Sequence, residues 1–354
     1  MYRILAINLG STSTKMAYYE DDICISSITE NHPTGDIVKF PDIMDQFKYR
    51  KESVEKFLKF NGIEKSSLDA IVSRGGNTKP LESGVYRITN EMLIQQASGT
   101  YGRHACDLGS KIAYEMCGNS RVIPLVVDPP VTDEFDSIAR LSGHPLFPRQ
   151  SCFHALNHKA TAKRYARENG LKYDELNLVV AHLGGGISVA PHKQGRMVDG
   201  DNALDGDGAF STNRTGGLPA GALAKMCFSG EYTYEEVTKM INGEGGLVAY
   251  LGTSDVRAIE EKAKTDENAA LCLDAMIYQV CKQIGAMSTV LSGDVDAILL
   301  TGGIANSKYV VQKIKDNCGF IAPIAVYPGE NEMKSLARGA LESLRGEEMI
   351  KELA

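Results

Sequence analysis

Several short runs of this sequence set hydroxyl, amide and cationic groups beside glycine, a combination suited to receiving phosphate or carboxylate oxygens. The first is Asn8-Leu9-Gly10-Ser11-Thr12-Ser13-Thr14-Lys15, lying between an apolar run at residues 3–7 and a β-prone run at 15–19. The second repeats the plan half a chain later. An apolar run at 176–182 ends on His182, the turn is Gly184-Gly185-Gly186, and Ser188 opens the returning strand. A strand, a tight polar turn and a returning strand, written twice, predict two homologous lobes whose turns would suit phosphates.

Charged residues at strand ends form the next group. Arg74 follows an apolar strand at 68–72 and precedes Gly75 and Gly76, a loop form in which the backbone can approach a ligand. Asp128 ends a strand at 122–127 just before Pro129 and Pro130. It reads either as a metal-binding acid or as a cap for the next segment. His154 and His158 have zinc spacing, but Ala155 replaces the Glu of H-E-x-x-H and no third ligand stands nearby. One is expected in the core, while His154 is placed to donate to an anion. Asp199, Asp201, Asp205 and Asp207 resemble a calcium loop, yet its fifth position is Ala203 and its twelfth Phe210, so solvated turns are expected. Arg214, within a small polar loop at 211–217, resembles a clamp for phosphate or carboxylate. Thr301-Gly302-Gly303-Ile304-Ala305-Asn306 joins a buried strand at 297–300 to a helix beginning near Ser307, where a flat ligand or phosphate could approach the backbone. Glu330 and Glu332 are acids at the start of a helix at 334–344, a position the helix dipole favours on its own.

At 354 residues the chain exceeds one ordinary core, and two domains are expected. We place them at 1–148 and 149–334, with a junction in the proline-rich segment 145–150 and a C-terminal helix over 335–354 packing back on the first. Helical patterns cover 42–60 and 90–117, the latter with His104 inside it. Met276, Val280, Ile284, Met287 and Leu291 step by 4, 4, 3 and 4 along one core-facing stripe. Hydrophobic content of 43%, charged content of 23% and a net charge of −7 describe a globular chain. Its basic residues are scattered, which argues against nucleic-acid and membrane-surface roles. The N-terminus enters a strand directly and no apolar run nears membrane-spanning length, so a cytoplasmic location is expected. Eight cysteines without a C-x-x-C pair predict reduced, mostly buried thiols.

Together these motifs resemble the actin, Hsp70 and sugar-kinase superfamily. That resemblance implies an α/β fold of two homologous actin-like (ribonuclease H-like) lobes with an ATP cleft between them. No Walker sequence occurs, which argues against a P-loop enzyme. The finer resemblance is to the acetate kinase family. Asn8 to Lys15 is similar to that family's N-x-G-S-S-S-x-K, and Phe153-His154-Ala155-Leu156-Asn157-His158-Lys159 to its F-H-G-T-S-H-K. His182 to Gly186 is similar to its H-L-G-N-G, Ser254-Asp255-Val256-Arg257 to its nucleotide-contacting S-D-x-R, and Gly302-Gly303-Ile304-Ala305-Asn306 to its G-G-I-x-x-N. Ser73-Arg74-Gly75-Gly76, Tyr101-Gly102-Arg103-His104 and residues 127–134 look most like the family's shorter branch, for which butyrate is the implied acceptor. Acetate, propionate, isobutyrate and valerate stay open as acceptors, because the motifs do not measure the pocket's depth, and a sugar or polyol kinase of the same superfamily is the alternative activity.

The resemblance implies phosphoryl transfer between ATP and a small carboxylate, giving acyl phosphate and ADP, with Mg²⁺ present. Arg74 and Arg214 would screen the two anions and His154 would donate to the transferring phosphoryl. The family's first catalytic arginine falls here at Ile71, which makes Arg74 the candidate replacement. Asp128 and Glu332, with Asn8, would hold the metal directly or through water. Ser11, Ser13, Lys15, His182, Gly184, Gly185, Gly186, Asp255, Val256, Arg257, Gly302, Gly303, Ile304 and Asn306 would contact the nucleotide. Phe153 is expected to wall the acid's pocket beside Arg74, and a homodimer or higher homo-oligomer is implied.

Overall fold

The computed structural model describes residues 1–202 and 204–353. Ala203, the fifth position of the rejected calcium loop, lies outside them, as does Ala354 at the end of the expected C-terminal helix. The chain divides into two compact units, Met1–Thr132 with Asn331–Ala354, and Asp133–Glu330. The proline-rich segment 145–150 lies inside the second unit and forms no regular element.

In the first unit, β1 (Arg3–Leu9), β2 (Ser13–Glu20) and β3 (Ile23–Asn31) form an antiparallel meander. Two parallel strands, β4 (Ala70–Ser73) and β6 (Ile123–Val127), extend it from the β1 side. The short β5 (Val85–Arg87) pairs antiparallel with β6, and β12 (Ile350–Lys351) closes that edge. β1 lies inside the sheet and is apolar from Ile4 to Ile7, as a strand covered on both faces must be. Leu5, Ile7 and Leu9 belong to a core with Ile71, Val126 and residues of the helix Cys106–Cys117.

The second unit repeats this order. β7 (Asn177–Leu183), β8 (Ile187–Lys193) and β9 (Arg196–Met197) form the meander, and β10 (Ala297–Gly302) and β11 (Ile324–Pro328) follow in parallel. The sheet order is β11-β10-β7-β8-β9, matching β6-β4-β1-β2-β3 in the first unit. Alternate residues of β7 feed opposite cores. Val179, Ala181 and Leu183 join the stripe Met276, Val280, Ile284 and Met287 of the helix Glu267–Val290 and its C-cap Leu291, while Leu178 and Val180 join Ala162 and Ala166 of the helix Ala155–Glu168.

Three local expectations are corrected. Residues 90–117 form two helices, Asn90–Ser98 and Cys106–Cys117, because Gly99 (φ 70°) and Gly102 (φ 96°) break the run, so His104 lies in the connection. The last helix is Glu332–Leu344, and the chain beyond it forms β12. Asp201 is not solvated: it is buried and accepts from the Val189 amide and the Gln283 side chain. All eight cysteines are free thiols, with Cys24 and Cys227 exposed. Among the described residues no helix is long and apolar enough to cross a membrane.

Candidate active site

In the first unit the β1–β2 turn is drawn tight by the Gly10 amide donating to the Ser13 carbonyl at 2.9 Å. It is fixed from beneath by Arg50, a residue the sequence reading missed. Arg50 is fully buried and donates to the carbonyls of Ser11 (2.9 Å) and Ser13 (2.9 Å), the Thr14 hydroxyl (3.1 Å) and Gln46 Oε1 (3.0 and 3.1 Å). This fork orders the turn from the side opposite its solvent-facing Ser11. A readable signal existed, because Arg50 occupies the same helical stripe as the buried Val54 and Phe57.

Asn8 and Lys15 are cross-strand partners just behind that turn. Asn8 Nδ2 donates to Glu332 Oε2 at 2.7 Å, Lys15 Nζ lies 3.4 Å from the same oxygen, and Arg74 Nη1 lies 3.1 Å from Oε1. One carboxylate at the start of the helix Glu332–Leu344 thus gathers three expected site residues. The Arg74 loop is shaped by glycine. A side chain at Gly76 would place its Cβ 2.7 Å from the Asp107 Cα, and Gly75 has φ +76°. Asp107 secures the loop by accepting from the Asn77 amide (2.6 Å) and the His104 amide (2.8 Å). His104 has its basicity lowered by burial and then by Arg74.

Asp128 serves another set of contacts. Its backbone is left-handed (φ 40°), its side chain is buried, and Oδ1 accepts from Ser83 Oγ (2.6 Å) and the Gly84 amide (2.9 Å). It therefore ties the β5 approach to the end of β6, close to the capping alternative left open by the sequence. Glu332 with the Asn8 carboxamide is a donor set that suits Mg²⁺, which keeps most of its waters and takes only one or two protein carboxylates plus phosphate oxygens. Among the described residues no cluster of three or more His, Cys, Asp or Glu side chains forms a metal cage.

In the second unit the register of β7 and β8 sets His182 opposite Ser188. His154 occupies the position before the helix Ala155–Glu168, so His154, Asn157 and His158 share one turn beside that strand pair. His154 and His182 stack with centroids 3.8 Å apart and planes tilted 11°. Ser188 Oγ lies 2.9 Å from His154 Nδ1 and 3.0 Å from His158 Nε2. His182 Nδ1 meets Asn157 Oδ1 at 2.8 Å, and its Nε2 lies 3.5 Å from Glu330 Oε1.

Arg214 reaches the same turn. A Cβ at Gly186 would overlap the Arg214 guanidinium, lying 2.8 Å from Cζ, and would also lie 3.3 Å from His154 Cε1. The absent side chain at Gly186 is what lets guanidinium and imidazole converge on one backbone position. Burial depresses the basicity of Arg214. Ser211 Oγ anchors this loop by donating to the Gly185 carbonyl and accepting from the Arg214 amide.

The remaining expected residues are dispersed. Asp255 caps the helix Val256–Ala263 through the amides of Arg257 (3.0 Å) and Ala258 (3.4 Å), and the Arg257 side chain is 95% exposed. Gly302 takes φ 88° and exchanges backbone hydrogen bonds with Gly329. Gly303–Asn306 is a single 3₁₀ turn, which Asn306 closes onto the Gly303 carbonyl, with Ile304 buried beneath it. Phe153 stacks on Phe135 (6.1 Å) and meets the His158 ring edge-on (5.1 Å), so its ring is committed to these aromatic neighbours.

Comparison with known proteins places these features in context. The model of the acetokinase family matches residues 143–339. The chain is similar to butyrate kinase 1 of Clostridium acetobutylicum, at 50% identity over 353 residues and 99% of each chain. It is also similar to a probable butyrate kinase of Bacteroides thetaiotaomicron, at 49% identity over 98% of each. Among solved structures, acetate kinase from Porphyromonas gingivalis superposes with a TM-score of 0.79 at 18% identity, covering 96% of this chain and 99% of the other. A propionate kinase from Francisella tularensis gives 0.74 at 20% identity, covering 96% and 99%. At these identities the structural likeness is one of fold: α/β, with two actin-like lobes.

Proposed function

This chain belongs to the acetokinase family and is an ATP-dependent carboxylate kinase, and we propose that butyrate is the acid it phosphorylates. The acceptor rests on the half-identity, over nearly the whole length, to proteins named as butyrate kinases. For the chemistry, the supporting observation is the convergence of Arg214 and His154 at Gly186.

The acid is already ionised at neutral pH, so its oxygen attacks the γ-phosphorus without a general base. As the new P–O bond forms, the bond to the bridging oxygen of ADP breaks, giving butyryl phosphate and ADP. The protein's task is to bring two anions into line and neutralise the charge on the transferring group. Arg214 and Arg74 screen the carboxylate and phosphoryl, and His154 donates to a phosphoryl oxygen. Asn8, Ser11, Ser13 and Lys15 orient the phosphates; Asp128, Glu332 and Asn8 would hold Mg²⁺, which would supply charge neutralisation at the phosphates. The glycine turns at Gly184–Gly186 and Gly302-Gly303, with Asp255 and Arg257, contact the nucleotide. The second unit carries most of the nucleotide contacts and the self-association into a dimer or higher oligomer. The enzyme works in the cytoplasm, and the reaction is reversible, so butyryl phosphate and ADP yield ATP.

The test is a panel of C2 to C6 acids with Mg-ATP and hydroxylamine to trap acyl phosphate. Two extra buried methylenes are worth about 1.6 kcal/mol, so butyrate should exceed acetate in kcat/KM by roughly tenfold or more. Equal use of acetate would overturn the butyrate assignment, and no hydroxamate with any acid would overturn the kinase.

A further inference from the structure

We infer that His158 and Ser188 are positioning residues that hold neutral His154 as its Nε2–H tautomer, while Asn157 holds the stacked His182 ring as the opposite, Nδ1–H tautomer. The consequence for catalysis rests on the proposed role of His154 as donor to the phosphoryl group. The tautomers themselves follow from the hydrogen-bond network.

The Ser188 hydroxyl lies between two imidazole nitrogens, His154 Nδ1 at 2.9 Å and His158 Nε2 at 3.0 Å. A hydroxyl carries one proton and two lone pairs, but Ser188 is fully buried and these two nitrogens are its hydrogen-bond partners among the described residues; accepting from both would strand its own proton, so it donates to one ring and accepts from the other. His158 decides which. It is completely buried, and burial first, then His182, keeps it uncharged at neutral pH. A neutral imidazole carries its proton on one nitrogen only. The Nδ1 of His158 is buried and has no hydrogen-bond partner among the described residues. A proton there would be an orphaned buried N–H, a rarer defect than a lone pair without a donor. The proton therefore sits on Nε2 and is given to Ser188 Oγ. Ser188 in turn gives its own proton to His154 Nδ1, which leaves the His154 proton on Nε2. Phe153, edge-on to His158 at 5.1 Å, packs against this relay.

The second ring is set from the same helical turn. Asn157 Nδ2 donates to the Glu330 carbonyl at 3.0 Å, an oxygen that can only accept, so the amide cannot be flipped without losing that bond. Its Oδ1 then faces His182 Nδ1 at 2.8 Å and requires a proton on that nitrogen. In the neutral state the two rings, 3.8 Å apart, present opposite Nε2 edges, a proton on His154 and a lone pair on His182. A donor held this way needs no protonation event before transfer. The construction uses side chains at 154, 157 and 158 on one helical turn against a cross-strand pair at 182 and 188.

The experiment is a two-bond ¹⁵N–¹H correlation spectrum of protein labelled at its histidine ring nitrogens, near pH 7.5, with peaks assigned by single His→Gln variants. The expected result is a protonated Nε2 on His154 and a protonated Nδ1 on His182. A protonated Nδ1 on His154 in the wild type overturns the relay. In S188A, His154 should shift to a mixture of tautomers and kcat should fall by roughly 10- to 100-fold, as when an imidazole loses its orienting partner, with KM for ATP little changed. S188T should restore both. An unchanged His154 spectrum in S188A also overturns the inference. Should S188A fail to fold, the wild-type spectrum decides. Failure of the His154 role itself would show separately, as near-normal kcat in H154A with the tautomers as assigned.

Discussion

Replacing Gly186 with alanine tests whether the Arg214 guanidinium must occupy its observed place. The new Cβ would lie 2.8 Å from Arg214 Cζ, where ordinary contacts begin near 3.4 Å, so the guanidinium must retreat by at least 0.6 Å. Gly186 is not among the glycines with positive φ, so the substitution adds no backbone strain. The displaced group is the far end of a flexible side chain, and the fold should absorb the change cheaply. Catalysis should not, because a donor misplaced by about 1 Å costs on the order of 100-fold. Complete loss of one charge-assisted donor is worth about 3 to 4 kcal/mol, or roughly 10² to 10³ in rate, which sets the floor expected of R214A. G186A should therefore keep its melting temperature within about 1 °C, an effect below about 1 kcal/mol. Its kcat for butyrate-dependent ADP formation should fall between tenfold and the R214A floor, with KM for ATP within a few-fold of wild type. Wild-type kcat in G186A, with R214A severely impaired, would refute the positional argument; wild-type kcat in both would remove Arg214 from the mechanism.

Two further predictions concern groups away from the reacting atoms. Arg50 donates to three polar groups of the β1–β2 turn, at roughly 1.5 kcal/mol each for bonds from a charged donor, so R50M should lose about 3 to 5 kcal/mol in urea unfolding. R50K, which keeps the charge but not the fork, should recover only part of that loss and raise KM for ATP. Asp201 has its pKa raised to about 7, by burial first and by Asp207 second. The folded state therefore binds a proton that the unfolded state has released above pH 4. The stability linked to this group is greatest below about pH 4 and is lost as pH rises toward 7, by up to about 4 kcal/mol. D201N should flatten that slope in unfolding measurements from pH 4 to 8, and an unchanged slope would contradict the assignment.

Much of this architecture is legible in the sequence because it is written locally. The two strand–turn–strand runs have continuous apolar stretches and glycine turns, and the stripe from Met276 to Leu291 has an unbroken helical period. The groups gathered on Glu332 are harder to read, since a contact such as Asn8 to Glu332 joins residues 324 positions apart. β5 and β12 are three and two residues long, too short for any periodicity to mark them. Burial of a charge is also hidden when its partners are backbone atoms. Arg50 is held by carbonyls and a carboxamide, and Asp201 by an amide and a glutamine; among the described residues neither forms an ion pair of the kind that sequence reading looks for. Asp128 shows the reverse. Its position at a strand end was readable, but its engagement by Ser83 and Gly84 depends on β5, which was not.

The central claim is a single in-line displacement in which the carboxylate itself attacks and no side chain is phosphorylated. The stereochemical course at the γ-phosphorus tests it directly, using ATP made chiral there with oxygen isotopes and analysing the butyryl phosphate formed. Inversion of configuration is the predicted result, and net retention, the signature of a phosphoenzyme and two displacements, would contradict the account.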